Sequence, residues 1–203
     1  MSGISAILLA AGESRRMGEP NKLELKINNI PMLLHTTIRL LASPVNEVIV
    51  VVGHEEEKAR RILAGLPISI VTNEHYRDGQ MTSVQKGLSS LKHLDFGVMV
   101  CLCDQPLMTV NDYSFLINTF QHTTSPVLIP TWMGERGNPV MISADYVHEI
   151  RENAANPGCR QFIENNPELV SMVEMPNNHV IYDLDTPEDY DDYQSLTTAL
   201  PVG

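Results

Sequence analysis

Hydrophobic positions along this chain fall into two alternating patterns. Unbroken apolar runs occupy residues 6–10, 47–52 ("EVIVVV") and 97–102 ("GVMVCL"). Such runs suit parallel strands covered on both faces, since a half-exposed strand alternates instead. Shorter strand candidates are 68–72, 126–129 and 139–142. Between the strands, residues 32–41, 55–63, 83–91, 112–120, 145–153 and 160–165 carry helical patterns. Thr186-Pro187-Glu188-Asp189 opens a last helix, with Thr as N-cap, Pro at the first position and acids in the first turn. Strand and helix alternate throughout, so the pattern predicts an α/β fold with a mainly parallel central sheet. One domain over 1–203 is expected, with a loose tail from about 197 and above all at 200–203. There is no internal repeat and no low-complexity segment.

Composition narrows the function. The chain is 43% hydrophobic and carries a net charge of −11. That balance argues against nucleic-acid binding, which uses a basic face. Three cysteines make no disulfide framework and point to the cytoplasm. Cys101 and Cys103 share one strand face and read as buried, inert thiols. No apolar run approaches a membrane span, and without a basic n-region ahead of the first strand a signal peptide is not expected. The seven histidines show no metal-ligand spacing; His54 and His75 read as loop residues.

The first strand runs into "LAAGESRRMGEPNKLEL". A loop between a buried strand and a helix exposes backbone N–H groups that bind phosphate, and glycines let it approach closely. Arg15, Arg16 and Lys22 add positive charge; the alternative is a plain turn with solvated arginines. A P-loop is disfavoured because Gly12 and Gly18 are too far apart and Glu19 follows. A dinucleotide loop is disfavoured because Ser14 and Met17 occupy the second and third glycine positions, and Gly53-His54 lacks the ribose-binding acid. Asp104 follows the end of the third buried strand, where ligand crevices of open α/β sheets lie. It is a Mg²⁺ ligand or a turn residue. Asp183 and Asp185 precede the last helix. Ser83 caps a helix or touches a ligand.

The loop, together with "NEHYRDGQMTSVQKGL", "CLCDQPLM", "GERGNPVMI" and "DLDTPEDY", resembles the Rossmann-like nucleotidyltransferases. Within them the five ordered segments are similar to the molybdenum cofactor cytidylyltransferase group. The resemblance runs from about Ile4 to Tyr190 and implies a three-layer fold. It implies that Leu9, Ala10, Ala11, Gly12, Arg16 and Lys22 hold the nucleotide, with Asn73, Gly79 and Ser83 at its base or ribose. By the same resemblance Asp104 and Asp185 hold Mg²⁺, with Mn²⁺ as an alternative, and Asp185 is preferred to Asp183. Gln105, Arg136, Asn138 and, from "NPGCRQF", Arg160 fall on the acceptor side with Gly158. Asn138 stands where the group more usually has His, so nothing there titrates.

The implied reaction is attack of an acceptor phosphate on the α-phosphorus of a nucleoside triphosphate, with pyrophosphate leaving. Arg16, Lys22 and Asp104 form the implied catalytic set. A phosphate-monoester acceptor, second pKa about 6, is largely ionised near neutrality, so no strong base is required. CTP and a molybdopterin-type acceptor are the implied substrates; Ala10-Ala11 leans to CTP, because the guanylyltransferase relatives resemble L-A-G-G. The expected protein is a cytoplasmic monomer without nucleic-acid or membrane partners, in transient contact with a molybdenum hydroxylase or its chaperone. The alternatives are GTP or another phosphorylated acceptor, such as a sugar or alcohol phosphate, and a non-catalytic nucleotide-binding or delivery protein. Intact Lys22, Asp104 and Asp185 argue against the last.

Overall fold

The structure is a computed structural model that describes residues 3–17, 21–92, 94–152 and 163–199. Its sheet has the order β10-β7-β9-β6-β1-β4-β5. These strands are β1 (Ile4–Ala10), β4 (Glu47–Val52), β5 (Ser69–Thr72), β6 (Gly97–Leu102), β7 (Val127–Trp132), β9 (Val140–Ser143) and β10 (Val170–Glu174). The two-residue β8 (Glu135–Arg136) pairs with β7, and β2 (Lys26–Ile27) with β3 (Ile30–Pro31) makes a separate hairpin. β1 lies parallel between β4 and β6, with Ile7 level with Ile49 and Val100. β9 runs antiparallel to both β6 and β7, so β7 and β10 point the same way as the central strands.

β1 shows why the central runs are unbroken. Ile4, Ala6, Leu8 and Ala10 face one apolar layer, and Ile7 and Leu9 face the other. The first layer is covered by α1 (Met32–Leu41), α2 (Glu56–Ile62) and α4 (Val110–His122), through Leu33, Leu40, Ala59, Leu116 and Phe120. The second is covered by α3 (Gln80–Ser89) and α5 (Ala144–Glu152), through Val84, Leu88 and Val147. The expected three-layer α/β architecture is therefore present. The last helix, α6 (Pro187–Ala199), packs Tyr193 with Ile27, Met32 and Leu184 in a smaller cluster. Its start is capped as expected: Asp189 N donates to Thr186 Oγ1 at 3.2 Å, and the Asp189 carboxylate accepts from Thr186 N at 2.7 Å. Cys101 and Cys103 are buried, and burial pushes both thiols up.

Several boundaries differ from the sequence expectations. α3 begins at Gln80, so Ser83 lies a turn inside it and is not its cap. β7 continues through Pro130 to Trp132, and β10 carries no unbroken apolar run because it is a partly exposed edge strand. α6 persists to Ala199, past the expected start of the tail at 197. Of the expected helix at 160–165, residues 163–165 are helical; Gly158, Cys159, Arg160, Gly18 and 200–203 lie outside the described residues. Among the described residues no helix is long and apolar enough to cross a membrane.

Candidate active site

The carboxyl ends of β1, β4 and β6 deliver the chemistry to one edge of the sheet. β1 ends at Ala10, and the next carbonyl, Ala11 O, accepts from His54 N at 3.2 Å, which ties the loop to the end of β4. The loop turns through Ser14, held at φ 52°, with Met17 N donating to Ser14 O at 3.0 Å. Lys22 opens a short 3-10 turn, Lys22–Glu24, capped by Asn21, whose side chain accepts from Leu23 N at 3.0 Å and donates to Glu55 at 2.5 Å.

That capped turn aims a nearly buried ammonium inward. Lys22 Nζ stands 2.7 Å from Asp104 Oδ2 and 2.8 Å from Asp185 Oδ1. Burial alone would lower the Lys22 pKa, but the two carboxylates outweigh it and hold it above its ordinary value. Asp185 also pairs with Arg16 at 2.9 Å. Asp104 Oδ1 is buried with no hydrogen-bond partner among the described residues. The two acidic segments are joined by Leu184 N, which donates to Asp104 O at 2.9 Å. Gln105 strengthens the join: its amide nitrogen donates to Val180 O at 2.8 Å and to Asp183 Oδ1 at 2.9 Å. Burial, and then the neighbouring Asp104 charge, push the Asp183 carboxyl up to about 6.

Two cavities occupy this edge and share Leu9. The first, about 410 Å³, is bordered by the loop from Gly12 to Arg16 and by Ala10, Lys22, Asp104 and Asp185. The second, about 580 Å³, is bordered by Gly79, Met81, Leu102, Arg136, Asn138 and Glu164 among others. Gly79 sits at φ 117° and ψ 162°, a conformation essentially reserved for glycine. Next to it, Asn73 donates to Thr82 Oγ1 at 2.8 Å and Ser83 Oγ at 2.9 Å, and accepts from His75 N at 3.0 Å.

The structure thus brings Leu9, Ala10, Gly12, Arg16, Lys22, Asp104 and Asp185 together around one cavity, and Gly79, Arg136 and Asn138 around the adjoining one. Ala11 is buried against the β4 end. Asn73 and Ser83 are buried and bonded to each other, and Gln105 is buried under the Val180–Asp183 segment; none of the three lines either cavity. Arg160 lies outside the described residues. The sequence reading missed Glu13, Tyr76 and Arg77, which border the first cavity. Its one available signal was that Tyr76 and Arg77 sit inside the "NEHYRDGQ" segment already singled out.

Comparison with solved structures gives the fold. The fold matches a nucleotidyl transferase from Methanothermobacter thermautotroptrophicus with a TM-score of 0.81 and 22% identity, over 96% of this chain and 98% of that one. The chain belongs to the MobA-like NTP transferase domain family, whose model matches residues 6–171. Among curated relatives it is 24% identical to nicotine blue oxidoreductase of Paenarthrobacter nicotinovorans, over 91% of this chain and 93% of that one. It is 26% identical to molybdenum cofactor cytidylyltransferase of Escherichia coli (strain K12), over 94% and 95% of the two chains.

Proposed function

We propose that this protein is an enzyme that transfers CMP from CTP to the phosphate of a molybdopterin-type acceptor and releases pyrophosphate. The observation that carries the reading is Lys22, held between Asp104 and Asp185 in the cavity that the signature loop borders. A buried cation bridging two carboxylates beside a phosphate-type loop suits a triphosphate and its counter-charges. The relative of Escherichia coli and the Ala10-Ala11 pair support cytosine; the different activity in the other relative's name makes the acceptor the finer part of the proposal.

The residues fit a divalent cation. Asp104 keeps one buried oxygen without a partner among the described residues, and a positive charge already joins its other oxygen to Asp185. Among the described residues no group of three His, Cys, Asp or Glu side chains is arranged for a metal. Mg²⁺ commonly takes one or two carboxylates and completes its shell with phosphate oxygens and water. Asp104 and Asp185 would therefore hold Mg²⁺ or Mn²⁺, which when bound supplies Lewis-acid polarisation of phosphate oxygens.

The chain's own residues do the rest by positioning and charge. Backbone N–H groups of the loop cradle the phosphates, and the open space beside Gly12 admits them. Arg16 and Lys22 balance the negative charge that builds on departing pyrophosphate. Gly79, whose carbonyl accepts from Thr82 Oγ1 at 2.8 Å, meets the base or ribose. Arg136, Asn138 and Arg160 hold the acceptor, and Gln105 orients the Asp183–Asp185 segment beside it. The acceptor phosphate is already ionised, so Asn138 in place of a titrating residue costs nothing in proton transfer. We place the enzyme in the cytoplasm as a single-domain monomer that hands its product to a molybdenum hydroxylase or its chaperone.

Pyrophosphate release tests the reading. Purified protein with molybdopterin and CTP should release it rapidly, and GTP should serve poorly. Equal turnover with GTP would remove cytidylyl specificity. Release only with another phosphorylated acceptor would replace the pterin, and no release with any pair would reject nucleotidyl transfer.

A further inference from the structure

The first cavity contains a charge cluster that the proposed chemistry has not used. Glu13 accepts from Arg15 Nε at 2.5 Å through one carboxylate oxygen and from Arg77 Nε at 2.9 Å through the other. Arg15 comes from the signature loop. Arg77 comes from the turn Tyr76–Asp78, and the pair spans 64 positions. Arg77 is also pre-placed: its guanidinium lies 5.4 Å from the centre of the Tyr76 ring. That ring packs so closely on Gly53 that a Cβ there would fall 2.9 Å from it.

The charges are unevenly matched. Asp104 and Asp185 balance Lys22 and Arg16, whereas Glu13 alone faces two guanidinium groups. Four cationic and three anionic side chains line the cavity among the described residues, a local surplus in a chain of net charge −11. The Glu13 side chain is 18% exposed, while those of Arg15 and Arg77 are 79% and 68% exposed. The carboxylate is the inner partner and the arginines reach out to solvent.

Building on the nucleotidyl-transfer reading, we propose that Arg15 and Arg77 seat the terminal phosphates of the triphosphate, and that Glu13 is an internal anion holding that seat in the free protein. Guanidinium groups bind carboxylate and phosphate with the same planar fork, so an arriving phosphate exchanges with Glu13. The exchange joins the signature loop to the Tyr76–Asp78 turn through the ligand. Glu13 also repels the bound tail, and so keeps triphosphate affinity below what the two arginines alone would give.

Calorimetric titration of the full chain with CTP, CMP and inorganic tripolyphosphate, in magnesium and without acceptor, tests this. Arg77→Gln should weaken CTP and tripolyphosphate binding about tenfold, the scale of one charged hydrogen bond. Glu13→Gln should tighten both severalfold. Neither variant should move CMP, which lacks the terminal phosphates. Circular dichroism checks that each variant is folded. Unchanged or weakened CTP binding in Glu13→Gln, or CMP shifted as much as CTP in either variant, overturns the proposal while leaving nucleotidyl transfer standing. Failure of the unmodified protein to bind CTP at all overturns both.

Discussion

His35 offers a measurement of what burial costs this fold. It lies on α1, 5% exposed, and neither ring nitrogen has a hydrogen-bond partner among the described residues. Four positions on, Arg39 donates to Pro106 O at 2.9 Å and Met108 O at 2.5 Å, so its charge is fixed beside the ring. Burial first, and Arg39 second, lower the His35 pKa from 6.5 to about 4. The folded value is depressed, so as pH falls below about 6.5 the unfolded chain takes up a proton that the folded chain refuses. Stability is lost between about pH 6.5 and 4. A shift of this size corresponds to about 3 kcal/mol over the whole window and about 2 kcal/mol by pH 5. Urea unfolding, followed by the fluorescence of Trp132, should show this loss at pH 5.0 relative to pH 7.5, beyond the loss in His35→Leu. Other titrating groups are common to both proteins and cancel. His35→Leu should also gain about 1–2 kcal/mol at pH 7.5, because it removes unsatisfied buried nitrogens; His35→Gln controls for size. Equal pH dependence in the unmodified protein and both variants would refute this reasoning, as would a His35 NMR titration midpoint near 6.5.

Three further outcomes are expected. Asp104→Ala should abolish Mg²⁺-dependent pyrophosphate release while circular dichroism stays native, whereas Asp185→Asn should be milder because an amide keeps one oxygen donor. Gly79→Ala should lower stability by about 1–3 kcal/mol in urea unfolding, through backbone strain alone, because nothing lies within 4 Å of the added methyl. Asp112, desolvated but held at about 2 by hydrogen bonds from His179, Thr109 and Asn177, contributes stability present above about pH 3.8 and lost as pH falls through about 2; Asp112→Asn should flatten that acid limb.

The central fold was legible because a strand covered on both faces is apolar at nearly every position, as β1 is apart from Ser5, whose hydroxyl donates to Glu47 at 3.0 Å. β10 was not, since Ser171 and Glu174 interrupt a partly exposed edge strand. Lys22, Asp104 and Asp185 could be named from their segments and set in one site by the resemblance, but the direct ion pairs among them could not be read. Those pairs close over sequence separations of 82 and 163. Ser83 shows a different limit. The sequence offered a cap or a ligand contact, and the structure has it inside α3, accepting from Asn73. Glu13 and Arg77 carry no local signal of their pairing, because an acid and an arginine in two loops are ordinary solvated residues until the chain closes.

β9 has a consequence for how this scaffold can be altered. Because it alone in the main sheet path runs against the other strands, the segment entering it, Arg136 to Asn138, stands at their carboxyl edge and walls the second cavity. None of those three residues borders the first cavity. The excursion from Trp132 to Val140 is tied down at its exit, where Asn138 N donates to Val180 O at 2.8 Å and a Cβ on Gly137 would collide with the same oxygen. Recoding its exposed outer part, Met133 to Arg136, reshapes one chamber while Gly137 and Asn138 keep their seat on Val180 and the paired carboxylates keep their places, so a protein engineer could vary the acceptor side against an untouched triphosphate chamber.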